Sequence, residues 1–285
     1  MNGRIQERQD MEDAERAGKK FKQLIKILDT LRGDKGCPWD REQDEKSVTN
    51  YFLEEAYELV DAVRSGDAAA LVEELGDVLM EVVFLARIYK EKSKFSMAEV
   101  LEGINQKMIR RHPHVFAQKK TVTSKKVWEE WRRQKRKEKA RLSPFDGLAK
   151  SLPSLLKAFQ IGLRVSDYGF DWKKPLEALQ KVKEEILELE IALKAKKEKE
   201  IFDEIGDVFF AFANVSRLLR VNPEIALQEA NKKFIKRFAL VEKGLKKRGK
   251  KLGEVSLKEM DELWERAKKE LPLKSRVKEL KMISS

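Results

Sequence analysis

The sequence predicts an all-α protein built as a tandem repeat of two antiparallel helical bundles. Three observations carry that prediction. Glu, Lys, Leu and Ala dominate, while 8% aromatic residues, 14 Gly and 7 Pro among 285 residues leave a bias toward long helices over sheet. Apolar residues recur at helical spacing nearly everywhere, and no alternating run of strand length competes with them. Short acidic motifs also appear twice, 130 residues apart.

Each element can be read in order. After a charged extension over 1–20, Leu24, Ile27, Leu28 and Leu31 repeat at i, i+3, i+4 and i+7 and predict a helix that ends before Gly33 to Trp39. Phe52, Ala56, Leu59, Val60 and Val63 predict the next helix. It stops at Ser65-Gly66-Asp67, where Gly terminates and Asp caps the helix carrying Leu71, Leu75, Val78, Leu79 and Val82. Further breaks fall at His112-Pro113 and at Leu142-Ser143-Pro144. Eight of the ten residues from Arg132 to Arg141 are charged, which reads as a solvated helix end and linker. The expected domains are therefore 21–141 and 142–272, with a basic tail at 273–285, in keeping with about two domains at this length.

Composition narrows the function classes. Lys and Arg number 61 against 49 Asp and Glu, a net charge of +12, and 39% charged with 41% hydrophobic residues excludes a disordered chain. No segment approaches the roughly 18 to 20 apolar residues of a membrane span, and the first 20 residues are too charged for a signal peptide. A cytoplasmic location is expected. Cys37 is the single cysteine, so an internal disulfide, a zinc ribbon and a redox pair of cysteines are excluded.

The repeat consists of Glu54-Glu55-Ala56-Tyr57-Glu58 followed by Glu74-Leu75-Gly76-Asp77, and later Glu184-Glu185-Ile186-Leu187-Glu188 followed by Glu204-Ile205-Gly206-Asp207. If the first set lies on two helices turning at Gly66, Glu58 and Glu74 are level with each other, as are Glu55 and Asp77. Residues three apart are only about 60° apart around a helix, so Glu55 shares a face with Glu58 and Glu74 with Asp77. Facing one another, they form a four-carboxylate nest. The second set has the same spacing, with its turn near Lys196 although no Gly marks it.

Acidic residues on helices are usually solvated and paired with lysines one turn away. Here the neighbours of Glu58, Glu74 and Asp77 at three and four residues include no cation, and in the second set only Lys181 stands four before Glu185. The run Val208-Phe209-Phe210-Ala211-Phe212 beyond Glu204 and Asp207 is expected to be buried. Carboxylates converging beside an apolar core repel one another and resist desolvation, and a divalent cation removes both problems. Oxygen-only ligation without His or Cys indicates Mg²⁺, with Mn²⁺ possible, rather than zinc.

Those motifs, with Gly36-Cys37-Pro38-Trp39-Asp40 before them and Arg110-Arg111-His112-Pro113-His114-Val115-Phe116 after, resemble the MazG nucleoside triphosphate pyrophosphohydrolases of the all-α NTP pyrophosphatase superfamily. The resemblance covers residues 20 to 271 or so. It implies tandem MazG-like domains, a homodimer or higher assembly, Mg²⁺ dependence, and hydrolysis of nucleoside triphosphates to monophosphate and pyrophosphate in nucleotide house-cleaning. Glu55, Glu58, Glu74 and Asp77, and Glu185, Glu188, Glu204 and Asp207, are the expected metal ligands.

Lys233 and Arg237, one turn apart, resemble the family's Lys-x-x-x-Arg phosphate pair, with Lys107 and Arg111 in the equivalent place of the first repeat. Trp264 and Lys268 resemble its Trp-x-x-x-Lys, an indole to stack on a base and an ammonium to reach a phosphate. In the first repeat both Trp128 with Arg132 and Trp131 with Lys135 fit that spacing. The expected reaction is attack of water on the α-phosphorus, with Lys233, Arg237 and Lys268 neutralising charge. Glu54 and Glu184 are placed to accept the water's proton or to serve a second metal. The second repeat, whose Trp-x-x-x-Lys match is single, is the expected catalytic one. His112 and His114 flank Pro113 and read as structural, as does Cys37. Two rival classes are a basic nucleic-acid-binding helical protein and a nucleotide-sensing scaffold without turnover. Eight carboxylates without cations in a duplicated pattern argue against nucleic acid as partner.

Overall fold

The computed structural model describes residues 2–117, 123–124, 126–127, 130–131, 134 and 143–271. The chain divides into two compact units, Met1–Lys139 and Ala140–Ser285. Among the described residues every regular element is a helix, as the composition and periodicity predict.

The first unit contains α1 (Asn2–Leu31), α2 (Pro38–Glu42), α3 (Glu45–Ser65), α4 (Ala68–Glu91), α5 (Met97–Arg111) and α6 (Pro113–Phe116). Helix α1 runs unbroken across residue 20, but its residues 7–20 are exposed, and packing begins with Phe21, Leu24 and Ile25. The α3–α4 hairpin is defined by local chemistry. Asp44 caps α3, accepting from the backbone N–H of Ser47 at 2.8 Å while the Ser47 hydroxyl accepts from the Asp44 N–H at 3.0 Å. Gly66 ends α3 in the left-handed conformation at φ 75°, and Asp67 restarts the chain by accepting from Ala69 N–H at 2.9 Å.

The core of this unit lies at the open end of the hairpin. Leu28 of α1, Val48 of α3 and Val83, Phe84 and Ile88 of α4 are buried together. Arg32 closes the same end: its Nε and Nη2 both donate to Glu91 at 2.7 Å, and its Nη1 donates to the Gln43 carbonyl at 3.0 Å. That fork pins the loop around α2 to the last turn of α4 and holds the Glu91 carboxyl below the usual carboxylate range.

The second unit contains α7 (Ser154–Ser166), α8 (Pro175–Ala195), α9 (Glu198–Leu218), α10 (Pro223–Lys247) and α11 (Leu257–Glu270). Lys196, at φ 56°, makes the left-handed turn between α8 and α9 that Gly66 makes in the first unit. Small buried residues, Ala158, Ala178, Ala192, Ala211 and Ala213, let these helices approach closely. Gly162 of α7 faces the buried Arg217 of α9, and a Cβ there would sit 2.8 Å from Arg217 Nε. Arg217 in turn donates to Asp171 and to Asn214. A separate cluster of Val241, Leu245 and Leu263 joins α10 to α11.

Truncation of Leu28, which is 2% exposed, removes methyl groups from a closed core. The Leu28→Ala variant is expected to lose about 2–5 kcal/mol of unfolding free energy in urea titrations. Met11→Ala, on the exposed part of α1, is expected to change it by less than about 0.5 kcal/mol.

Candidate metal and nucleotide site

In the first unit, α3 supplies Glu55 and Glu58 and α4 supplies Glu74. One carboxylate oxygen from each lies within 4.8 Å of the others. Asp77, one turn along α4 from Glu74, falls outside that set, although its charge acts on both Glu55 and Glu74. Burial raises the Glu55 carboxyl first, and the charges of Asp77, Glu58 and Glu74 raise it further. Glu74 is raised the same way, by burial and then by Glu58 and Asp77. Its Oε2 is buried without a hydrogen-bond partner.

The second unit repeats the arrangement with Glu185 and Glu188 from α8 and Glu204 from α9, again within 4.8 Å. Asp207 is exposed and outside the set. The Glu204 carboxyl is raised by burial and then by Glu188, Asp207 and Glu185, and its Oε2 also lacks a partner. Glu185 is 6% exposed, and here a cation does intervene: Lys181 Nζ lies 2.9 Å from Glu185 and 2.6 Å from Glu184. Glu184 first and Glu185 second hold that ammonium well above the usual lysine range. At the same register the first unit has Tyr51.

Three carboxylates at such distance, with buried unsatisfied oxygens and no nitrogen or sulfur donor, fit a hard divalent cation. The aspartates are the part of the expected four-acid nest that the structure leaves at the edge. Their side chains are shorter than glutamate by one methylene, and they sit a turn further from the level Glu58–Glu74 pair.

The cationic side chains are less uniform than their spacing implies. Lys233 is exposed, whereas Arg237, one turn later on α10, is buried and donates from Nη2 to the Leu271 carbonyl at 2.9 Å. Its Nε is buried without a partner. Trp264 is half-buried with its ring 4.9 Å from that of Phe234, and the exposed Lys268 pairs with Glu265. In the first unit Lys107 is half-buried, and the Arg111 guanidinium lies 5.3 Å from the Trp131 ring centre. Trp128, Arg132 and Lys135 lie outside the described residues.

The expected burial of Val208 to Phe212 is overturned. Phe209, Phe210 and Phe212 are exposed, and only Ala211 of the run is buried. The face of α9 that meets α7 and α8 is built from Ala211, Ala213, Asn214 and Arg217, so the phenylalanines point away from it. His112 donates from Nδ1 to the Met108 carbonyl at 2.7 Å, closing the end of α5, and Cys37 is a free thiol at the start of α2. Two groups escaped the sequence reading. Leu271 has no side-chain signal, because it acts through its carbonyl. Glu81, buried on α4, shows in the sequence only as a lone acid between Leu79-Met80 and Val82-Val83-Phe84.

An all-α chain with two hairpins, each gathering three glutamates in a cation-sized cluster, defines a tandem helical protein built around carboxylate centres. The description of the matching family is the MazG nucleotide pyrophosphohydrolase domain, which covers residues 43–116 and again 173–241. The nucleoside triphosphate pyrophosphohydrolase/pyrophosphatase MazG of Thermotoga maritima is 40% identical over 254 residues, 88% of this chain and 97% of the relative. The nucleoside triphosphate pyrophosphohydrolase of Escherichia coli K12 is 39% identical over 253 residues, 87% of this chain and 96% of the relative. The uncharacterized protein YabN of Bacillus subtilis is 38% identical over 251 residues, which is 51% of that longer protein. The chain belongs to the MazG family.

The raised carboxyls have a consequence for stability. Glu55, Glu74, Glu204 and Glu81 all titrate higher in the fold than in the unfolded chain, Glu81 up to about 7 from 4.5. Their protonated forms therefore support the fold fully at low pH, and that support is lost as pH rises through the folded values. In chelator, the melting temperature is expected to fall between about pH 5 and pH 8, and Glu81→Gln is expected to shrink the fall; scanning calorimetry across that range reads both.

Proposed function

We propose that this chain is a Mg²⁺-dependent nucleoside triphosphate pyrophosphohydrolase, with Mn²⁺ as an alternative ion, forming monophosphate and pyrophosphate in the cytoplasm as part of nucleotide house-cleaning. Support comes from the relatives' names and from the second unit, where three glutamates, Lys181 and the Lys233, Arg237, Trp264 and Lys268 side chains belong to one compact unit. The working domains are 21–141 and 142–272.

Glu185, Glu188 and Glu204, with Asp207 at the rim, hold the divalent cation; Glu55, Glu58, Glu74 and Asp77 are their counterparts. The bound cation supplies positive charge to phosphate oxygens and to a water molecule. Every further role falls to side chains. Glu184, exposed beside Lys181, accepts the proton of the attacking water. Lys233 and Lys268 swing from solvent onto the triphosphate, and Arg237 offers its unsatisfied Nε–H. Trp264, packed at a tilt against Phe234, presents its remaining edge to the base. Lys107 and Arg111 hold the corresponding place in the first unit, where the paired Arg111 and Trp131 leave less of the cation free for phosphate.

The assembly is a homodimer or higher. Leu53, Tyr57, Val72 and Leu75 of the first hairpin and Leu187, Ile191, Phe202 and Phe209 of the second are exposed, faces too apolar to remain in water.

Chromatography of ATP or dGTP reactions is expected to yield monophosphate and pyrophosphate only with Mg²⁺ or Mn²⁺; orthophosphate and diphosphate would place the attack at the γ-phosphorus and reject the reading. Turnover by the second unit predicts that Glu204→Gln lowers kcat by about 100-fold or more. The loss in Glu74→Gln is expected to be at least tenfold smaller. The reverse ranking in steady-state assays would move catalysis to the first unit.

A further inference from the structure

Three aromatic rings follow one another in the second unit, where α10 meets α11. Phe234 and Phe238 are one turn apart on α10, and their rings stack with centroids 5.9 Å apart and planes 10° apart. The Trp264 indole of α11 joins them at Phe234, 4.9 Å away and tilted by 46°. Trp264 also packs against the Val241, Leu245 and Leu263 cluster. The indole is therefore held by an apolar cluster and by one phenyl ring. Phe234 follows Lys233 directly and precedes Arg237 by three residues, so the ring stands within the phosphate pair.

Burial does not account for that ring. Phe234 is 54% exposed, and a side chain with more than half its surface in water adds little to a core. The first unit shows what the position requires for folding alone. Lys107 and Arg111 stand 126 residues before Lys233 and Arg237, and at that offset Met108 matches Phe234 and His112 matches Phe238. Met108 is 45% exposed, so a flexible thioether is accepted there. The indole of Trp131 lies instead over the Arg111 guanidinium, 5.3 Å from the ring centre. What a phenyl adds over a thioether is an angle. Aromatic pairs favour particular tilts because of their ring quadrupoles, whereas an unbranched chain adapts to any.

We propose that Phe234 is a positioning residue for nucleobase selection in the second unit: it fixes the angle of the Trp264 indole, so that the base meets a preset ring face. This rests on the reading that Trp264 meets the base. Lys268, one turn further along α11 on the same side as Trp264, then keeps a constant register between base and phosphates. Phe234 acts through the indole and takes no part in the phosphate contacts. Selection by base belongs to the second unit, because Met108 gives an indole no angle to keep.

The test uses the full chain with Mg²⁺ and compares KM for ATP, GTP, CTP and UTP in the wild type, Phe234→Leu, Phe234→Tyr, Trp264→Leu and the Phe234→Leu/Trp264→Leu double variant. Inhibition of ATP hydrolysis by inorganic tripolyphosphate, which carries the substrate's charge without a base, is followed alongside. Phe234→Leu is expected to raise KM for the preferred nucleotide about two- to tenfold and to narrow the spread of KM among the bases, with kcat and tripolyphosphate inhibition retained. Phe234→Tyr keeps the ring and is expected to keep the wild-type ranking. The double variant is expected to be no weaker than Trp264→Leu alone, since both changes act through one indole. If Trp264→Leu raises KM while Phe234→Leu does not, or if their effects multiply in the double variant, positioning by Phe234 is overturned and the base reading stands. Loss of tripolyphosphate inhibition in Phe234→Leu, in parallel with KM, reduces the ring to a support for the helices and also overturns it. An unchanged KM in Trp264→Leu rejects the base reading itself, and the positioning role with it.

Discussion

Repulsion between carboxylates held within 4.8 Å across a helical hairpin is the constraint on which both units depend. Like charges at that distance push the two helices apart, and burial adds to the cost by disfavouring the ionised form. The hairpins must therefore be held from elsewhere. In the first unit the apolar cluster around Leu28 and Ile88 and the Arg32–Glu91 fork grip the open end, while Gly66 and Asp67 fix the turn. The acids lie between these two fastenings, where neither helix can swing away.

The second unit solves the same problem with different means. Alanines bring α7, α8 and α9 together, and Arg217 crosslinks α9 to Asp171 in the space that Gly162 leaves. The first unit's arginine at the matching offset, Arg87, pairs with Asp29 at 2.8 Å. Both hairpins thus carry an arginine-to-aspartate strut beyond the acids, drawn from different partner segments. Lys181 partly neutralises the second cluster, whereas Tyr51 and Glu81 leave the first uncompensated. Duplication kept the acidic geometry and let its charge balance diverge, which is the physical basis for assigning the two units different roles.

Basic residues follow another logic. Lys250 and Arg248 are spent on Glu259, and Lys268 lies against Glu265, so much of the local positive charge stabilises α11 and the loop before it. Arg237 ties the end of that helix to α10 through the Leu271 carbonyl, placing Trp264 and Lys268 in the same unit as the acids. Around α11, part of the positive charge is therefore committed to local ion pairs.

The sequence by itself determined what depends on local spacing. Helical periodicity, the Ser65-Gly66-Asp67 stop and the 130-residue offset required no knowledge of distant contacts, and the level pairing of Glu58 with Glu74 follows from rise per residue alone. The family resemblance rested on the same short motifs, and the family match and relatives agree with it. Tertiary structure decided what depends on which way a helix faces. Rotation of α9 exposes Phe209, Phe210 and Phe212, which hydropathy alone assigns to the interior. Residues four apart share a face, yet Lys233 reaches solvent while Arg237 turns inward to a backbone carbonyl. Asp77 and Asp207 fall outside the glutamate sets because the level at which the two helices come together, which a motif does not give, adds to their shorter reach. Burial of Glu81 against other acids needed the packed hairpin, since a single Glu in an apolar run carries no sign of which neighbours will surround it.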